Sequence, residues 1–358
     1  MKSVCAMRFI CGFGVLAALT VLADSTLAAP VVPALSRAAL MVKAPEHVAL
    51  IDMERAGSRI VAVGEHGVII ISDDQGASWR QAPVPVSTEL TALSFVDERH
   101  GWAVGHSGVV LATEDGGETW SKQLDGVQAA RLMVEAAKRS GNERALRSAE
   151  RLVADGADKP FLDVLFQDVQ RGMIIGAYGL AFATEDGGKT WFSIADRFDN
   201  PGSLHLYALA GRGDEIVIAA EQGLVLRSTD AGKSFSTLSV PYEGSFFAVA
   251  LPPSGDIVVA GLRGNAFHSR DGAAHWLNLE VPGNVTANFN CAVVDAAGAV
   301  WLANAAGMLF KLDDNRLELT NNRLRPLNDL LILDSGAALG LSLSGVVSVP
   351  AAVQGVKQ

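Results

Sequence analysis

Residues 103–120 have the sequence AVGHSGVVLATEDGGETW, and this phrase recurs along the chain. It contains an apolar run, a G-x-x-G frame, a second apolar run and a turn of the form S/T-x-D-x-G-x-S/T-W. Four other copies are well preserved and two are eroded: 61–79, 174–191, 218–235 and 259–276, then 302–315 and 339–350. A phrase repeated in this way indicates one structural unit that is used several times.

The spacing of the repeat predicts the fold. One glycine opens the second apolar run of each copy, and the successive steps between these glycines are 41, 71, 44, 41, 43 and 38 residues: Gly67, Gly108, Gly179, Gly223, Gly264, Gly307 and Gly345. A period of about 40–45 residues with short apolar runs is typical of four-stranded propeller blades. Helical repeats would need longer amphipathic runs. We therefore predict an all-β fold, a seven-bladed β-propeller with four-stranded blades.

A further apolar run precedes each phrase and is predicted to be the innermost strand of its blade, since continuous apolar runs are typical of strands buried on both faces. The seventh copy stops after its third strand, near Pro350. The spare run at 39–43 (ALMVK) is expected to complete the last blade and close the ring, which would leave no free sheet edge. The predicted propeller domain is 29–358.

The one long step contains an insertion between blades 2 and 3. Residues 127–156 are rich in Ala, Arg, Glu and Leu, and their apolar positions recur at helical spacing on either side of Ser140-Gly141. We predict two short helices here. They are either a decoration of the rim or part of a binding surface.

The N-terminus has the pattern of an export signal: two basic residues, the uncharged run 9–23 and a small-residue cleavage site. We predict a signal peptide at 1–28, and a mature chain that is periplasmic or otherwise exported, soluble and not inserted in the membrane. Removing the signal peptide would remove Cys5 and Cys11 and leave Cys291 as the one cysteine of the mature chain. Cys291 lies in an apolar run and is expected to be a buried, inert thiol. An uncleaved membrane anchor is the alternative.

The composition excludes several classes of protein. Hydrophobic residues make up 49% of the 358 residues and charged residues 19%, which is too apolar for a disordered chain. With 29 basic and 39 acidic residues the net charge is −10, so nucleic acid is not expected as a partner. The sequence has no motif for a metal or a cofactor, and we expect the protein to bind neither. We also expect it to be a monomer.

The repeated turn is an Asp box. Its aspartate can bond backbone N–H groups of its own turn, its glycine tolerates positive φ, and its tryptophan can pack between sheets. We therefore interpret the box residues as structural, not catalytic: Asp74, Trp79, Asp115, Trp120, Asp186, Trp191, Asp230, Asp271 and Trp276.

The repeat resembles that of the photosystem II assembly and stability factor-like family of Asp-box (BNR) propellers. The resemblance is clearest at 102–120 and extends over nearly the whole mature chain. The sequences DKPFLDV (158–164) and GAYG (176–179), with the helical insertion, resemble the exported proteobacterial branch of that family. This resemblance implies a non-catalytic assembly scaffold, an accessory factor of an inner-membrane exporter of the resistance-nodulation-division (RND) type, with the exporter or its cargo as partner.

A sialidase-like or other carbohydrate-active glycoside hydrolase is the alternative function. Such an enzyme needs two opposed carboxylates, and propeller geometry would allow Glu65 and Glu221 to share one face. The sialidase F/Y-R-I-P phrase is absent, and no motif singles out these two glutamates. A panel of glycosides distinguishes the two functions.

The residues inside each G-x-x-G frame vary in charge and size while the frame stays constant. If the Asp boxes lie on one end of the propeller, these residues lie on the other, together with the insertion. Variation on a constant loop leaves room for a binding surface, although plain solvated turns would look the same. We predict that a protein partner binds here, through His66, His106, Tyr178, Glu221, Gln222 and Arg263.

Overall fold

The computed structural model describes residues 33–283, 285–321 and 324–349. The predicted signal peptide, 1–28, lies outside the described residues. Within them, the strands form seven antiparallel sheets, each built from consecutive strands, which we call blades 1 to 7.

Six blades have four strands and, in the described residues, blade 7 has three. Blade 1 consists of β1 Leu50–Ala56, β2 Arg59–Gly64, β3 Ile69–Ser72 and β4 Arg80–Gln81. Blade 2 consists of β5 Leu90–Phe95, β6 Gly101–Gly105, β7 Val110–Thr113 and β8 Ser121–Leu124. Blade 3 consists of β9 Phe161–Phe166, β10 Gly172–Gly176, β11 Ala181–Thr184 and β12 Phe192–Ser193. Blades 4 to 7 consist of β13 Leu206–Arg212, β14 Glu215–Ala220, β15 Val225–Ser228, β16 Ser236–Leu238; β17 Phe246–Ala250, β18 Ile257–Gly261, β19 Ala266–Ser269, β20 Leu277–Asn278; β21 Phe289–Val294, β22 Val300–Asn304, β23 Leu309–Asp313, β24 Arg316–Asn321; β25 Asp329–Ile332, β26 Ala338–Ser342 and β27 Gly345–Val349.

The innermost strands form a closed ring. Each of β1, β5, β9, β13, β17, β21 and β25 contacts the innermost strand of the next blade, and β25 contacts β1. This is the arrangement of a β-propeller, so the predicted all-β class and the seven repeats are found as seven sheets around one axis.

The apolar runs are continuous because each blade packs against two neighbours. On β2, Val61 and Val63 belong to the core shared with blade 2, whereas Ile60 and Ala62 belong to the core shared with blade 7. Successive side chains of a strand point to opposite faces. Both faces of β2 are therefore buried from Ile60 to Val63, and apolar residues occupy these successive positions.

The Asp box is a self-contained hydrogen-bonded turn between the third and fourth strands. In blade 2, Asp115 accepts bonds from the backbone N–H and the hydroxyl of Thr119, at 2.9 and 2.6 Å. The Thr113 hydroxyl bonds Asp115 and accepts from the Gly117 N–H at 3.0 Å. Trp120 donates its Nε1–H to the Gly117 carbonyl at 2.9 Å and packs into the core between blades 1 and 2.

The aspartate bonds recur in the boxes of blades 1, 3, 4 and 5, whereas the bond of the indole to the glycine carbonyl recurs in blade 1 but not in blades 3 and 5. In blade 5 the ring of His275 takes the place of the second hydroxyl, with Nδ1 2.6 Å from Asp271 Oδ2. Ala273 occupies the position of the second glycine and has a φ of 72°. The turn is thus determined by the aspartate and its backbone bonds, and tolerates changes around them.

The insertion consists of two helices, α1 Gly126–Ser140 and α2 Glu143–Asp155, separated by the left-handed Gly141. Asp125 caps α1, accepting a bond from Gln128 N while the Gln128 side chain accepts from the Asp125 N–H. Three residues of this pair, Leu132, Met133 and Leu152, pack against the core between blades 2 and 3. The predicted bounds 127–156 lie within one residue of the helices.

The run 39–43 does not form the fourth strand of blade 7 that the sequence predicts. Leu40 and Met41 are 79% and 63% exposed, so the run buries little apolar surface. Its polar groups bond to blade 1 instead: the backbone of Leu40 and Val42 bonds to the side chain of Gln81. Apolar composition predicted a strand, but the backbone bonds of this segment are made outside blade 7.

The ring closes through the innermost strands. Asp329 Oδ2 accepts a bond from the Met53 N–H at 3.0 Å, and the side chain of Asn328 donates to the Leu50 carbonyl at 2.7 Å. The segment before β1 also contacts β27. Among the described residues, no helix has the length and apolar character needed to span a membrane.

Candidate functional site

The turns between the second and third strands have the same backbone in blades 1 to 5. Each is a three-residue turn whose middle residue is left-handed, with φ between 54° and 59°: His66, Ser107, Tyr178, Gln222 and Arg263. The glycine that follows is also left-handed, and a Cβ on Gly67 would lie 2.3 Å from the Val86 carbonyl oxygen of the loop to the next blade. Two loops therefore meet at this end of the ring, which we call the top face.

The six residues predicted to bind a partner all lie in these turns. His66, Tyr178, Gln222 and Arg263 occupy the left-handed position, whereas His106 and Glu221 precede it. The predicted set is thus on one face, but its members have different surroundings.

Two of the six are held by neighbouring groups. His106 Nε2 lies 3.2 Å from Glu89 Oε1, and Glu221 Oε2 accepts a bond from the backbone N–H of His205 at 3.1 Å. Glu221 therefore positions the start of blade 4.

Tyr178 is at one end of a row of rings. Its side chain is 53% exposed, and its ring centroid lies 4.8 Å from that of His205. His205 lies 6.0 Å from Tyr207, and Tyr207 lies 5.1 Å from Phe247 in a T-shaped arrangement. These four residues, which we call the aromatic row, extend from blade 3 across blade 4 to blade 5 on the top face.

Charged groups border the aromatic row. Lys159 Nζ lies 5.1 Å from the centre of the Tyr178 ring, a cation–π distance. Hydrogen bonding to Asp158 raises the pKa of Lys159, so it stays charged. Burial, and secondarily the charge of Glu221, raises the pKa of Tyr207, so its hydroxyl stays neutral. The row therefore combines exposed ring surface with one fixed cation and a neutral hydroxyl.

Sequence reasoning missed Lys159, His205, Tyr207 and Phe247. Tyr207 and Phe247 are the second residues of β13 and β17, where pairing with the next strand shifts by one residue. A bulge of this kind leaves one residue out of the alternation of faces. In the sequence, each of these two residues is an aromatic residue directly after the buried first residue of its strand. Because the neighbouring residues are also apolar, this feature did not stand out from the strand pattern.

The centre of the ring contains a cavity of about 740 Å³ lined by innermost strands. Its lining includes six carboxyl groups, and four of them lie on innermost strands: Asp52, Glu54, Asp163 and Asp329. Burial raises the pKa of Asp52 to about 6 and that of Asp163 to about 8, and raises those of Glu54 and Asp329 well above their ordinary range.

Each of these carboxyl groups is bonded to the neighbouring blade. Asp52 accepts from Leu93 N at 2.6 Å, Glu54 from Phe95 N, and Asp163 from Leu209 N at 2.5 Å. Asp329 bonds Met53 as described above. These groups satisfy backbone N–H groups on the open edge of the innermost strands, which have no sheet partner there. The acidic cavity is therefore explained by the cross-linking of blades.

The described residues contain no group of three or more His, Cys, Asp or Glu side chains placed to hold a metal ion. Cys291 is buried, and burial with the nearby charge of Asp329 raises its thiol pKa well above the ordinary value. A thiol that resists ionisation is a poor nucleophile.

One family model matches part of the chain. The model for the photosynthesis system II assembly factor YCF48 matches residues 71–147 and 142–244. The photosystem II assembly lipoprotein Ycf48 of Synechococcus sp. (strain CC9902) is 26% identical over 141 residues, which are 39% of this chain and 38% of that protein. The chain thus matches about two fifths of this relative's length.

Solved structures show the same fold. A structure described as YCF48 bound to D1 peptide has a TM-score of 0.61 and 17% identity, and the match covers 87% of this chain and 96% of the other. The GH74 xyloglucanase of Xanthomonas campestris has a TM-score of 0.64 and 13% identity over 89% of this chain and 54% of the enzyme. The resemblance to the photosystem II assembly factor family of propellers is confirmed.

Proposed function

We propose that this Ycf48-like propeller is a non-catalytic scaffold that binds a segment of a partner protein on its top face during assembly of a membrane-protein complex. The observation that carries the proposal is the aromatic row, with Tyr178 half exposed at its end. A related propeller is described as bound to a peptide, which supports a peptide segment as the ligand.

The chemistry of the row suits a protein ligand. Tyrosine offers a large rigid surface at low cost in side-chain entropy and is enriched at the centres of protein interfaces. The guanidinium of Arg263, which has no partner among the described residues, provides a polar contact at the rim, whereas Lys159 is already paired with Asp155 and Asp158. The ligand we expect is therefore an extended segment that places an apolar or aromatic side chain on the row and a carboxylate near Arg263.

The cellular setting follows from the resemblance. Export of the mature chain to the periplasm and an accessory role beside an RND-type exporter are part of this proposal, and they rest on the signal-like N-terminus and on the resemblance of the insertion to that branch. A gene for an RND-type exporter next to the gene for this chain would support the accessory role.

A glycoside hydrolase is the second candidate, favoured by the structural similarity to a xyloglucanase and by the acidic cavity. The bonds of the cavity carboxyl groups to backbone N–H groups argue for the scaffold. Incubation of the purified chain with xyloglucan and a panel of aryl glycosides separates the two. We expect no turnover. Turnover that disappears when the cavity carboxyl groups are substituted would show that the protein is an enzyme and would overturn the scaffold proposal.

The scaffold is tested by capture of partners after cross-linking in cells that export the tagged chain. We expect Tyr178→Ala with Arg263→Ala to lower recovery of the major cross-linked proteins at least fivefold. Val169→Ala with Arg316→Ala is the matched control, since both residues are exposed and lie outside the top-face turns. Equal recovery by the two double variants would overturn the top-face assignment.

A further inference from the structure

The helix α2 carries three exposed arginines on one side. Arg144, Arg147 and Arg151 are spaced at i, i+3 and i+7, so they line one face over about 10 Å of helix. We call them the arginine stripe. It lies on the insertion and shares no residue with the aromatic row of the proposed function.

The stripe differs from the arginines of the ring. Arg59 bonds Asp73 and the Gly116 carbonyl, and Arg227 bonds Glu215 and the Gly272 carbonyl. Ring arginines of this kind are used to join turns of adjacent blades. Among the described residues, no hydrogen bond or ion pair engages the guanidinium groups of Arg144 and Arg151.

The third guanidinium is only weakly engaged. Arg147 lies 3.4 Å from Glu143, and the two side chains are 68% and 87% exposed. An exposed pair at this spacing on a helix contributes little to stability, because water and salt screen it. A competing carboxylate can therefore displace Glu143, and all three guanidinium forks are available to an external ligand.

We propose that the arginine stripe is a docking surface for an acidic segment of a partner protein. Guanidinium groups bind carboxylates bidentately. The stripe is a local group of positive charges on a chain whose net charge is −10. An acidic segment is therefore attracted to the stripe and repelled by the chain as a whole.

A protein segment fits this surface better than a membrane does. Binding to a lipid surface needs apolar side chains that enter the bilayer beside the cations. On α2 the exposed residues beside the stripe include Glu143, Glu150 and Asp155, and Val153 is the large apolar side chain exposed there, at 40%. With so little exposed apolar surface, α2 offers nothing to enter a bilayer, and the guanidinium forks favour the carboxylates of a protein segment.

The test uses the chain from Ala29 onwards and needs no knowledge of the partner. Binding of a fluorescein-labelled 16-residue Glu/Ala peptide is measured by anisotropy, with a Lys/Ala peptide and vesicles of 30% phosphatidylglycerol in phosphatidylcholine as the other ligands. We expect binding of the acidic peptide that weakens at least tenfold between 50 and 300 mM KCl, and no binding of the basic peptide.

Two triple variants make the assignment specific. Arg144→Glu, Arg147→Glu and Arg151→Glu together should lower affinity for the acidic peptide at least tenfold. The control, Lys189→Glu, Lys233→Glu and Arg316→Glu, makes the same change in net charge at exposed positions away from α2 and should change affinity less than twofold. Circular dichroism verifies that both variants fold.

Equal losses in the two triple variants would show a general charge effect and overturn the proposal. It is also overturned if the unaltered chain fails to bind the acidic peptide, or if it binds the vesicles in preference. Since the aromatic row is unchanged in these variants, failure here leaves the cross-linking test of the proposed function unaffected.

Discussion

The carboxyl group of Asp163 on β9 accepts a hydrogen bond from the backbone N–H of Leu209 on β13, with Oδ2 and N 2.5 Å apart. The two residues lie on innermost strands of adjacent blades. The bond satisfies a donor on the inner edge of blade 4, and burial of the carboxyl group raises its pKa to about 8. One side chain thus connects two blades and makes the ring sensitive to pH.

We expect the free energy of unfolding to fall as the pH rises from about 4 to about 8. The ordinary pKa of the Asp163 carboxyl is 3.8 and its pKa in the folded chain is about 8, so the folded state binds more protons between these values. Asp52, with a pKa of about 6, acts in the same direction in the lower part of this window. Urea unfolding at several pH values measures the slope.

Asp163→Asn should flatten this dependence, because the amide oxygen still accepts the Leu209 bond and does not titrate. Asp163→Ala should lower the free energy of unfolding by about 1–3 kcal/mol, since it leaves a buried N–H without an acceptor. Asp199→Asn makes the same chemical change at an exposed position and is the control. An unchanged pH slope in Asp163→Asn would contradict the assignment.

Ala273→Gly should stabilise the protein by about 1 kcal/mol. Ala273 has a φ of 72°, a conformation that strains any residue with a Cβ. The reverse change at the equivalent position of blade 2, Gly117→Ala, should destabilise by a similar amount. Its Cβ would meet Val61 at 3.4 Å, an ordinary contact, so backbone strain alone would be measured. Thermal unfolding of the two variants should therefore give shifts of opposite sign.

Gly345→Ala should destabilise the ring more than Gly336→Ala does. Both glycines are left-handed, with φ of 99° and 79°, so each substitution incurs strain of about 1–2 kcal/mol. A Cβ on Gly345 would lie 1.9 Å from the Glu46 carbonyl oxygen, whereas a Cβ on Gly336 meets nothing within 4 Å. Equal losses in chemical unfolding would show that the contact of Glu46 with blade 7 does not stabilise the closed ring.

The thiol of Cys291 should react with 5,5′-dithiobis(2-nitrobenzoate) at least a hundredfold more slowly in the folded chain than in 6 M guanidinium chloride. Burial excludes the reagent, and the raised thiol pKa keeps the reactive thiolate scarce at pH 8. A chain that starts at Ala29 is used, so that Cys5 and Cys11 do not contribute. Rapid labelling without unfolding would contradict the burial of β21.

The repeat and its turns could be predicted because their signals are local. An Asp box bonds within a few residues, as Asp115 does with Thr113 and Thr119. The left-handed glycines and the cap of α1 by Asp125 are equally local. The run 39–43 shows the limit of such local signals. Its composition predicted a strand at the edge of blade 7, but its position depends on which groups its backbone bonds to in the folded chain.

The candidate site was predicted only in part for the same reason. Tyr178 was found because the G-x-x-G frame marks its turn. Lys159 contacts Tyr178 within blade 3. His205 and Phe247 lie at the starts of blades 4 and 5, and they join the row only when these blades pack beside blade 3. No pattern in the sequence records the contacts that join them.

The sequence by itself therefore determined the repeated unit, its strands, its turns and the helical insertion, because each depends on bonds and periodicities within a few residues. The tertiary structure alone decided how the blades are joined: Asp163 with Leu209, Asp329 with Met53, and the aromatic row across three blades. These contacts arise from the closing of the ring, which brings the inner edges of consecutive blades within hydrogen-bonding distance. A polar residue in an apolar strand acquires its role only when that neighbour is in place.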